Sequence, residues 1–135
     1  MEQAITLQGF LAFLTYFGVG IGVLFAAVAI VLLITPHSEI TLIRAGNAAA
    51  AVAFSGTLLG LALPIHAVIQ HSVSALDALI WGLVAAVVQV LAYFIADWVS
   101  RTLSKQINDG VLSAGIFSAA VAISVGLINA AAMTP

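Results

Sequence analysis

The stretch AFSGTLLGLALPIH, residues 53–66, decides the fold, because it is apolar over its length yet carries small residues at helical spacing. Gly56, Gly60 and Pro64 follow one another at intervals of four and therefore share one face of a helix. Small residues four apart let two membrane helices approach closely. The pattern predicts a packing face with a bend near Pro64; the alternative interpretation is the wall of a pore or substrate pathway.

The composition of the chain places this stretch in a lipid bilayer. The 135 residues are 64% hydrophobic and 6% charged, whereas soluble domains carry about 25% charged residues. About 20 apolar residues span a bilayer as a helix, and four runs are long enough. The predicted spans are residues 7–34, 45–70, 76–99 and 111–132. The sequence therefore predicts an all-α integral membrane protein, with one four-helix transmembrane domain over residues 1–135.

Short connections between the spans predict two antiparallel helical hairpins. At an offset of 64 residues, Gly18 aligns with Gly82 and Gly46 with Gly110, which raises the alternative that the hairpins form a parallel repeat. Basic loops stay in the cytoplasm, so both termini are expected outside, in the periplasm of a bacterium. This orientation rests on the three basic residues of the first and third loops: Arg44, Arg101 and Lys105.

Charged residues around these two loops form the predicted cytoplasmic surface. Pro36 ends the first helix, and Ser38 is an expected N-cap for the segment that follows. Asp97 and Arg101 are four residues apart, a spacing that predicts an exposed ion pair of small energetic worth. The complete predicted surface set is Glu39, Arg44, Asp97, Arg101 and Lys105.

Polar and small residues inside the spans are the candidate functional residues. Gln89 and Tyr93 lie on one stripe of the third span, and a carboxamide at this depth needs a partner inside the protein. This stripe indicates either an interhelical hydrogen bond or a water-lined conduit. The full set of helix-packing or pore-lining candidates is Gly18, Gly22, Ser55, Gly56, Thr57, Gly60, Pro64, Gln89, Tyr93 and Asn129.

Several functional classes are disfavoured by what the sequence lacks. It has no cysteine, which excludes disulfides and thiolate metal sites, and its net charge of -2 gives no basic patch for nucleic acid. No Asp, Glu, Lys or Arg falls in the middle of a span, as proton pumps require. His66 and His71 are five residues apart, a poor spacing for one metal-binding helix face. We therefore expect no enzyme, no metal site and no cofactor.

Three strings resemble the YjfL family of small bacterial inner-membrane proteins of unknown function: ITPHSE (34–39), NAAAAVAFSGTLLGLALPI (47–65) and GLINAAAMT (126–134). The resemblance implies four transmembrane helices in the bacterial plasma membrane. It also implies a role in envelope maintenance with a cytoplasmic membrane-remodelling partner. The reason is that genes of the family are often found near genes for phage-shock-type proteins and ATP-grasp ligases. The family's pattern repeats the Asn of position 47 at the start of the last helix, where this chain has Val111. No catalytic or binding residue is carried over.

Three functional hypotheses follow from the sequence. The first is a non-enzymatic, homo-oligomeric membrane component surrounded by lipid and linked to envelope maintenance, with small-residue faces as its contacts. The second is an ion or small-solute channel whose wall includes Ser55, Thr57, Pro64, Gln89 and Tyr93. The third is a platform in the membrane on which a cytoplasmic partner docks through the charged loops.

Overall fold

The structure is a computed structural model that describes residues 6–35, 38–71 and 74–133. Four helices in it are long and apolar enough to cross a membrane, which confirms the predicted all-α, four-span fold. One six-residue helix lies between the two long helices of each hairpin. In chain order the helices are α1 (Leu7–Ile34), α2 (Glu39–Arg44), α3 (Ala48–His71), α4 (Ala75–Ser100), α5 (Leu103–Asn108) and α6 (Leu112–Met133).

Side-chain caps fix where three of the long helices begin. The Thr6 hydroxyl accepts the backbone N–H of Gly9 at the start of α1, and the Ser74 hydroxyl accepts that of Asp77 at the start of α4. The Asn47 Oδ1 atom accepts the N–H of Ala50, so α3 begins three residues later than position 45, where the sequence placed it. Each cap satisfies a donor that the first helical turn leaves without a partner.

Helices α3 and α6 pack backbone against backbone through their glycines. A Cβ atom on Gly56 would collide with the backbone of Ala119, and one on Gly126 would collide with the carbonyl oxygen of Gly60. Pro64 has no N–H, so this Gly60 carbonyl lacks its usual helical hydrogen bond and lies against α6 instead. The small-residue face that the sequence placed on the second span is therefore a packing face within the chain.

The long helices pair by direction. Helices α3 and α6 run parallel, and α1 and α4 run parallel to each other in the opposite sense, with the Val23 side chain against Gly82. Each of α3 and α4 contacts the other three long helices and occupies the centre, whereas α1 and α6 lie at the flanks. The outward faces carry large apolar side chains such as Phe25 and Ile128, about 70% exposed, as lipid contact requires.

The first half of α1 is exposed along most of its surface. No side chain is buried between residues 7 and 22, all of which the structure describes, and Val23 is the first buried residue of the helix. An apolar groove of about 490 Å³ opens between this half of α1 and α3, with Phe17 on one wall and Ile69 on the other. The buried residues of α1 therefore all lie from Val23 onward, and Val19 in the first half is only partly buried against the core.

The turns after α2 and α5 are built alike at the offset of 64 residues. Gly46 donates its N–H to the Ile43 carbonyl, and Gly110 donates to the Ile107 carbonyl, both at 3.0 Å. Both glycines have positive φ angles, 87° and 78°, which other residues rarely adopt. Helices α2 and α5 also span equivalent numbers, 39–44 and 103–108. These matches fit the parallel repeat, which itself stays a prediction.

Candidate functional site

Glu39 is buried inside the helix bundle, where only 4% of the residue is exposed. Helix α2 places Glu39, Leu42 and Ile43 on one face, and the two apolar residues pack against the core. The prediction that Glu39 belongs to the cytoplasmic surface is therefore wrong, because α2 turns this face toward the long helices. The sequence contained this signal in the i, i+3, i+4 spacing of the three residues.

The Glu39 side chain lines a small enclosed cavity bounded by the four long helices. The cavity has about 20 Å³ of space, which is room for about one water molecule. Helices α3, α4 and α6 each contribute at least one polar side chain to the cavity. Thr35, which directly follows the last residue of α1, contributes another. The polar residues at the cavity are Thr35, Glu39, Thr57, Gln89, Tyr93 and Ser118.

Hydrogen bonds to the backbone use the hydroxyl donors of two cavity residues and one of the two N–H donors of a third. The Thr35 hydroxyl donates to the Val31 carbonyl at 2.7 Å, and the Thr57 hydroxyl donates to the Ala53 carbonyl at 3.3 Å. The Gln89 Nε2 atom donates across from α4 to the Ala122 carbonyl of α6 at 3.1 Å. The threonine oxygens keep their lone pairs as acceptors. The cavity is therefore rich in hydrogen-bond acceptors beside a carboxyl group.

Burial raises the pKa of Glu39 from 4.5 to about 7, because the ionised carboxylate loses its hydration inside the bundle. The Glu39 carboxyl therefore titrates much closer to neutral pH than an exposed glutamate does. On the neighbouring wall, the Tyr93 side chain shares a hydrogen bond with Ser104, which precedes Lys105 in α5. The titratable Glu39 thus lies beside a polar cavity, at the end of the bundle where α2 and α5 lie. This is the end that is predicted to be cytoplasmic.

Of the predicted pore-lining residues, Thr57, Gln89 and Tyr93 meet at this cavity and Ser55 does not. Ser55 is exposed on the outer face of α3 and donates its hydroxyl to the Ala51 carbonyl at 2.8 Å. Its assignment to a pore wall is corrected for that reason. Pro64 is buried in the core, away from the cavity.

The predicted packing role of Gly18 and Gly22 is not fulfilled inside the chain. Both glycines are exposed, and a Cβ on either would meet nothing within 4 Å. The reason is that α1 buries its opposite face, beginning at Val23 and Ala27. On α6, the Asn129 Nδ2 atom is buried and has no hydrogen-bond partner among the described residues.

The remaining surface charges lie outside the bundle core. Arg44 is exposed, and Lys105 is paired with Asp109 at 3.0 Å. No ion pair joins Asp97 to Arg101 in the described part of the chain, which corrects that expectation. Arg101 instead adopts a left-handed backbone conformation as the C-cap of α4, and its N–H donates to the Asp97 carbonyl.

Two cavity residues were missed by sequence reasoning. Thr35 is four residues before Glu39, and Ser118 lies on the small-residue face of α6 together with Ala114 and Ala122. Each is a single hydroxyl residue in an apolar environment, a pattern that also fits a hydroxyl bonded to its own backbone. Their spacing alone therefore could not separate a cavity wall from ordinary helix packing.

Comparisons with known proteins place this architecture among bacterial membrane proteins. The sequence profile described as Domain of Unknown Function (DUF350) matches residues 4–133. The chain is 38% identical over 128 residues to the UPF0719 inner membrane protein YjfL of Escherichia coli K12, covering 95% of this chain and 97% of that protein. It is 26% identical over 119 residues to the UPF0719 transmembrane protein YshE of Bacillus subtilis, covering 86% and 88%. No solved structure matches the chain significantly.

Proposed function

The chain belongs to the DUF350 family, and from that premise we propose that it is a non-enzymatic, homo-oligomeric component of the bacterial inner membrane that serves envelope maintenance. The observation that carries the proposal is the outward small-residue face of α1. The envelope role and a cytoplasmic membrane-remodelling partner rest on the sequence resemblance to the family.

The outward face of α1 supports self-association in lipid. Thr15, Gly18, Gly22 and Ala26 are exposed and follow one another at helical spacing on the side of α1 opposite its buried residues. In a bilayer, small residues at an interface allow close backbone contact, which is a main source of helix association there. Helices α3 and α6 use their own glycines on each other, so α1 has the small-residue face that is open to a second copy.

The test is the oligomeric state of the full chain in mild detergent and in lipid nanodiscs. We expect wild-type protein to form a defined oligomer, and the double variant Gly18→Leu, Gly22→Leu to shift toward monomer while its helical circular dichroism spectrum stays that of the wild type. The matched control is Val87→Leu, since Val87 is 57% exposed on α4. Wild-type protein that stays monomeric in lipid would overturn the proposal.

The polar cavity favours a second candidate function, an ion or small-solute conduit. Gln89, Thr57 and Tyr93 meet there beside Glu39, within a bundle that is otherwise apolar at its core. Polar groups at this depth are costly unless they are satisfied, and they commonly mark ion pathways. The cavity holds about one water, so a conduit through it requires the helices to move.

Flux through proteoliposomes tests the conduit. We expect wild-type protein to pass a small cation, and Gln89→Leu to reduce the flux by at least tenfold because the cavity loses its carboxamide. Ser55→Ala, on the lipid-facing side of α3, is the control that should keep wild-type flux. Wild-type protein that passes no ion or small solute would contradict this function. The docking platform at the charged loops stays a prediction.

A further inference from the structure

Glu39 occupies a position that an apolar residue fills in the second hairpin. At the offset of 64 residues, Glu39 of α2 corresponds to Leu103 of α5, and Leu103 is fully buried. The turns that follow the two short helices have the same hydrogen bonds. A leucine therefore satisfies the packing at such a position, and packing does not account for a buried carboxyl.

The other polar residues at the cavity show the same asymmetry along α3 and α6. Thr57 corresponds to Val121, and Ser118 corresponds to Phe54. The hydroxyl and carboxyl groups are thus gathered in one place, whereas their counterparts are apolar. The oxygen atoms of these side chains therefore surround one water-sized space, where several of them can act together as ligands.

We propose that the Glu39 cavity is a binding site for one small dehydrated monovalent cation, with the carboxylate supplying its negative charge. The hydroxyls of Thr35 and Thr57 donate hydrogen bonds to backbone carbonyls, so the lone pairs of their oxygens are available as ligands. Oxygen ligands are those that hard cations prefer. The space of about 20 Å³ matches one water-sized species.

The charge of the site selects a monovalent ion. Glu39 is the carboxylate at the cavity, and one negative charge balances one positive charge. Calcium takes six to eight oxygen ligands, usually with several carboxylates, and magnesium keeps a shell of water that this cavity has no room for. Sodium and lithium, which are smaller than a water molecule, are therefore the ions that fit.

Proton binding competes with the cation at the same carboxyl. Burial raises the pKa of Glu39, so the site is ready for a cation only where the carboxylate is ionised. Tyr93 on α4 interacts electrostatically with both Glu39 and Asp97; Arg44 and Lys105, on the short helices, are exposed. The cation should therefore bind more weakly as pH falls below neutral.

The experiment measures the unfolding midpoint of the purified full chain at pH 8, with choline chloride replaced by sodium, lithium or potassium chloride at constant ionic strength. We expect the wild-type midpoint to rise with sodium and lithium, following mass action on the folded state. Glu39→Gln and Glu39→Leu should weaken the apparent affinity by at least tenfold. Asp109→Asn, which removes an exposed carboxylate, should respond like wild type.

A second variant and a direct measurement keep the proposal falsifiable if the Glu39 variants fold poorly. Thr57→Val removes a ligand oxygen and keeps the carboxyl, and we expect it to bind radioactive sodium several-fold more weakly than wild type. A wild-type midpoint that depends on pH but not on the cation would overturn the proposal, because the site would then take a proton only. An equal loss of response in Asp109→Asn would also overturn it.

The site shares its cavity with the conduit hypothesis, but the two fail differently. Saturable sodium binding without flux would support the site and remove the conduit. Flux without saturable binding, unchanged in Glu39→Gln, would remove the site and leave the conduit.

Discussion

Protonation of a single buried carboxyl couples the stability of the bundle to pH. The folded chain holds the Glu39 proton up to about pH 7, whereas in the unfolded chain the group has its ordinary pKa of 4.5. The stabilising contribution is therefore complete below pH 4.5 and is lost as pH rises through 7. A shift of this size corresponds to about 3 kcal/mol in the free energy of unfolding.

We therefore expect wild-type protein in sodium-free buffer to lose about 3 kcal/mol of stability between pH 4.5 and pH 8 through this group. Glu39→Gln removes the titration and should flatten that part of the profile. Denaturant unfolding in mild detergent, followed by circular dichroism across this pH range, measures the difference. Asp109→Asn is the exposed control, and a Glu39→Gln profile as steep as wild type would contradict the assignment.

The sequence could identify Gln89 and Thr57 as polar residues inside spans, but it misplaced Glu39. Hydropathy assigns a residue between Pro36 and Arg44 to a loop, and a charged loop residue is usually solvated. Burial of Glu39 depends on α2 folding back against the long helices, which hydropathy does not report. The spacing of Glu39 to Leu42 and Ile43 was the local signal.

Glycines on different helices have different energetic roles. A Cβ atom added to Gly126 would collide with the Gly60 carbonyl of α3. A Cβ atom added to Gly22 of α1 would meet no neighbouring atom within 4 Å. An added methyl group is therefore harmful at one position and harmless at the other. In an exposed helix interior, alanine is also favoured over glycine by about 0.5–1 kcal/mol.

We predict opposite effects for two matched substitutions. Gly126→Ala should destabilise the chain by about 1–3 kcal/mol, because α3 and α6 must move apart. Gly22→Ala should leave stability unchanged or raise it by about 0.5–1 kcal/mol. Both are measured by unfolding in the same detergent, at a dilution where the wild type is monomeric. Equal destabilisation by the two substitutions would show that the α3–α6 contact is not as close as described.

Helix existence was predictable because each long run is apolar over at least 18 residues, and the termini of α1, α4 and α6 fall within one residue of expectation. Helix α3 begins later, because Gly46 and Asn47 form a turn and a cap that hydropathy cannot separate from a helix. Helix α5 escaped prediction because six residues are too few for a periodic pattern.

Asn47 joins the two hairpins. Its Nδ2 atom donates to the Ile107 carbonyl at 2.8 Å and to the Asn108 carbonyl at 3.3 Å, while its Oδ1 atom caps α3. The equivalent position at the start of α6 is Val111, which has no side-chain cap to offer. The Asn47 side chain thus connects the first hairpin to the second, and the second hairpin has no equivalent amide at position 111.

Two substitutions test this asymmetry. Asn47→Ala should destabilise the chain by about 1–3 kcal/mol, because it removes a cap and leaves carbonyls of α5 with one partner fewer. Val111→Asn should stabilise it by about 0.5–2 kcal/mol, because an N-cap asparagine can accept an N–H of the first turn of α6. Chemical unfolding of both variants gives the values. A destabilising Val111→Asn would argue against the equivalence of the two turns.

The sequence did not determine which small-residue faces meet. Helices α1, α3 and α6 all carry such a face, and spacing alone ranks Gly18 with Gly22 as highly as Gly56 with Gly60. In the structure, the small-residue faces of α3 and α6 pack against each other. The two helices are parallel, so their glycines come together at several levels. Choosing among similar faces requires the relative placement of the hairpins, which no local pattern contains.

The α3–α6 contact also sets an order of events during biosynthesis. Helix α3 ends at His71 and α6 ends at Met133, so the ribosome adds 62 residues after α3 is finished before α6 is finished. Ribosomes add about 5–20 residues per second, so α3 waits roughly 3–12 seconds for its partner. During that interval its glycine face and the Gly60 carbonyl lie against lipid or the insertion machinery, so the nascent first hairpin lacks the partner that covers both in the folded chain.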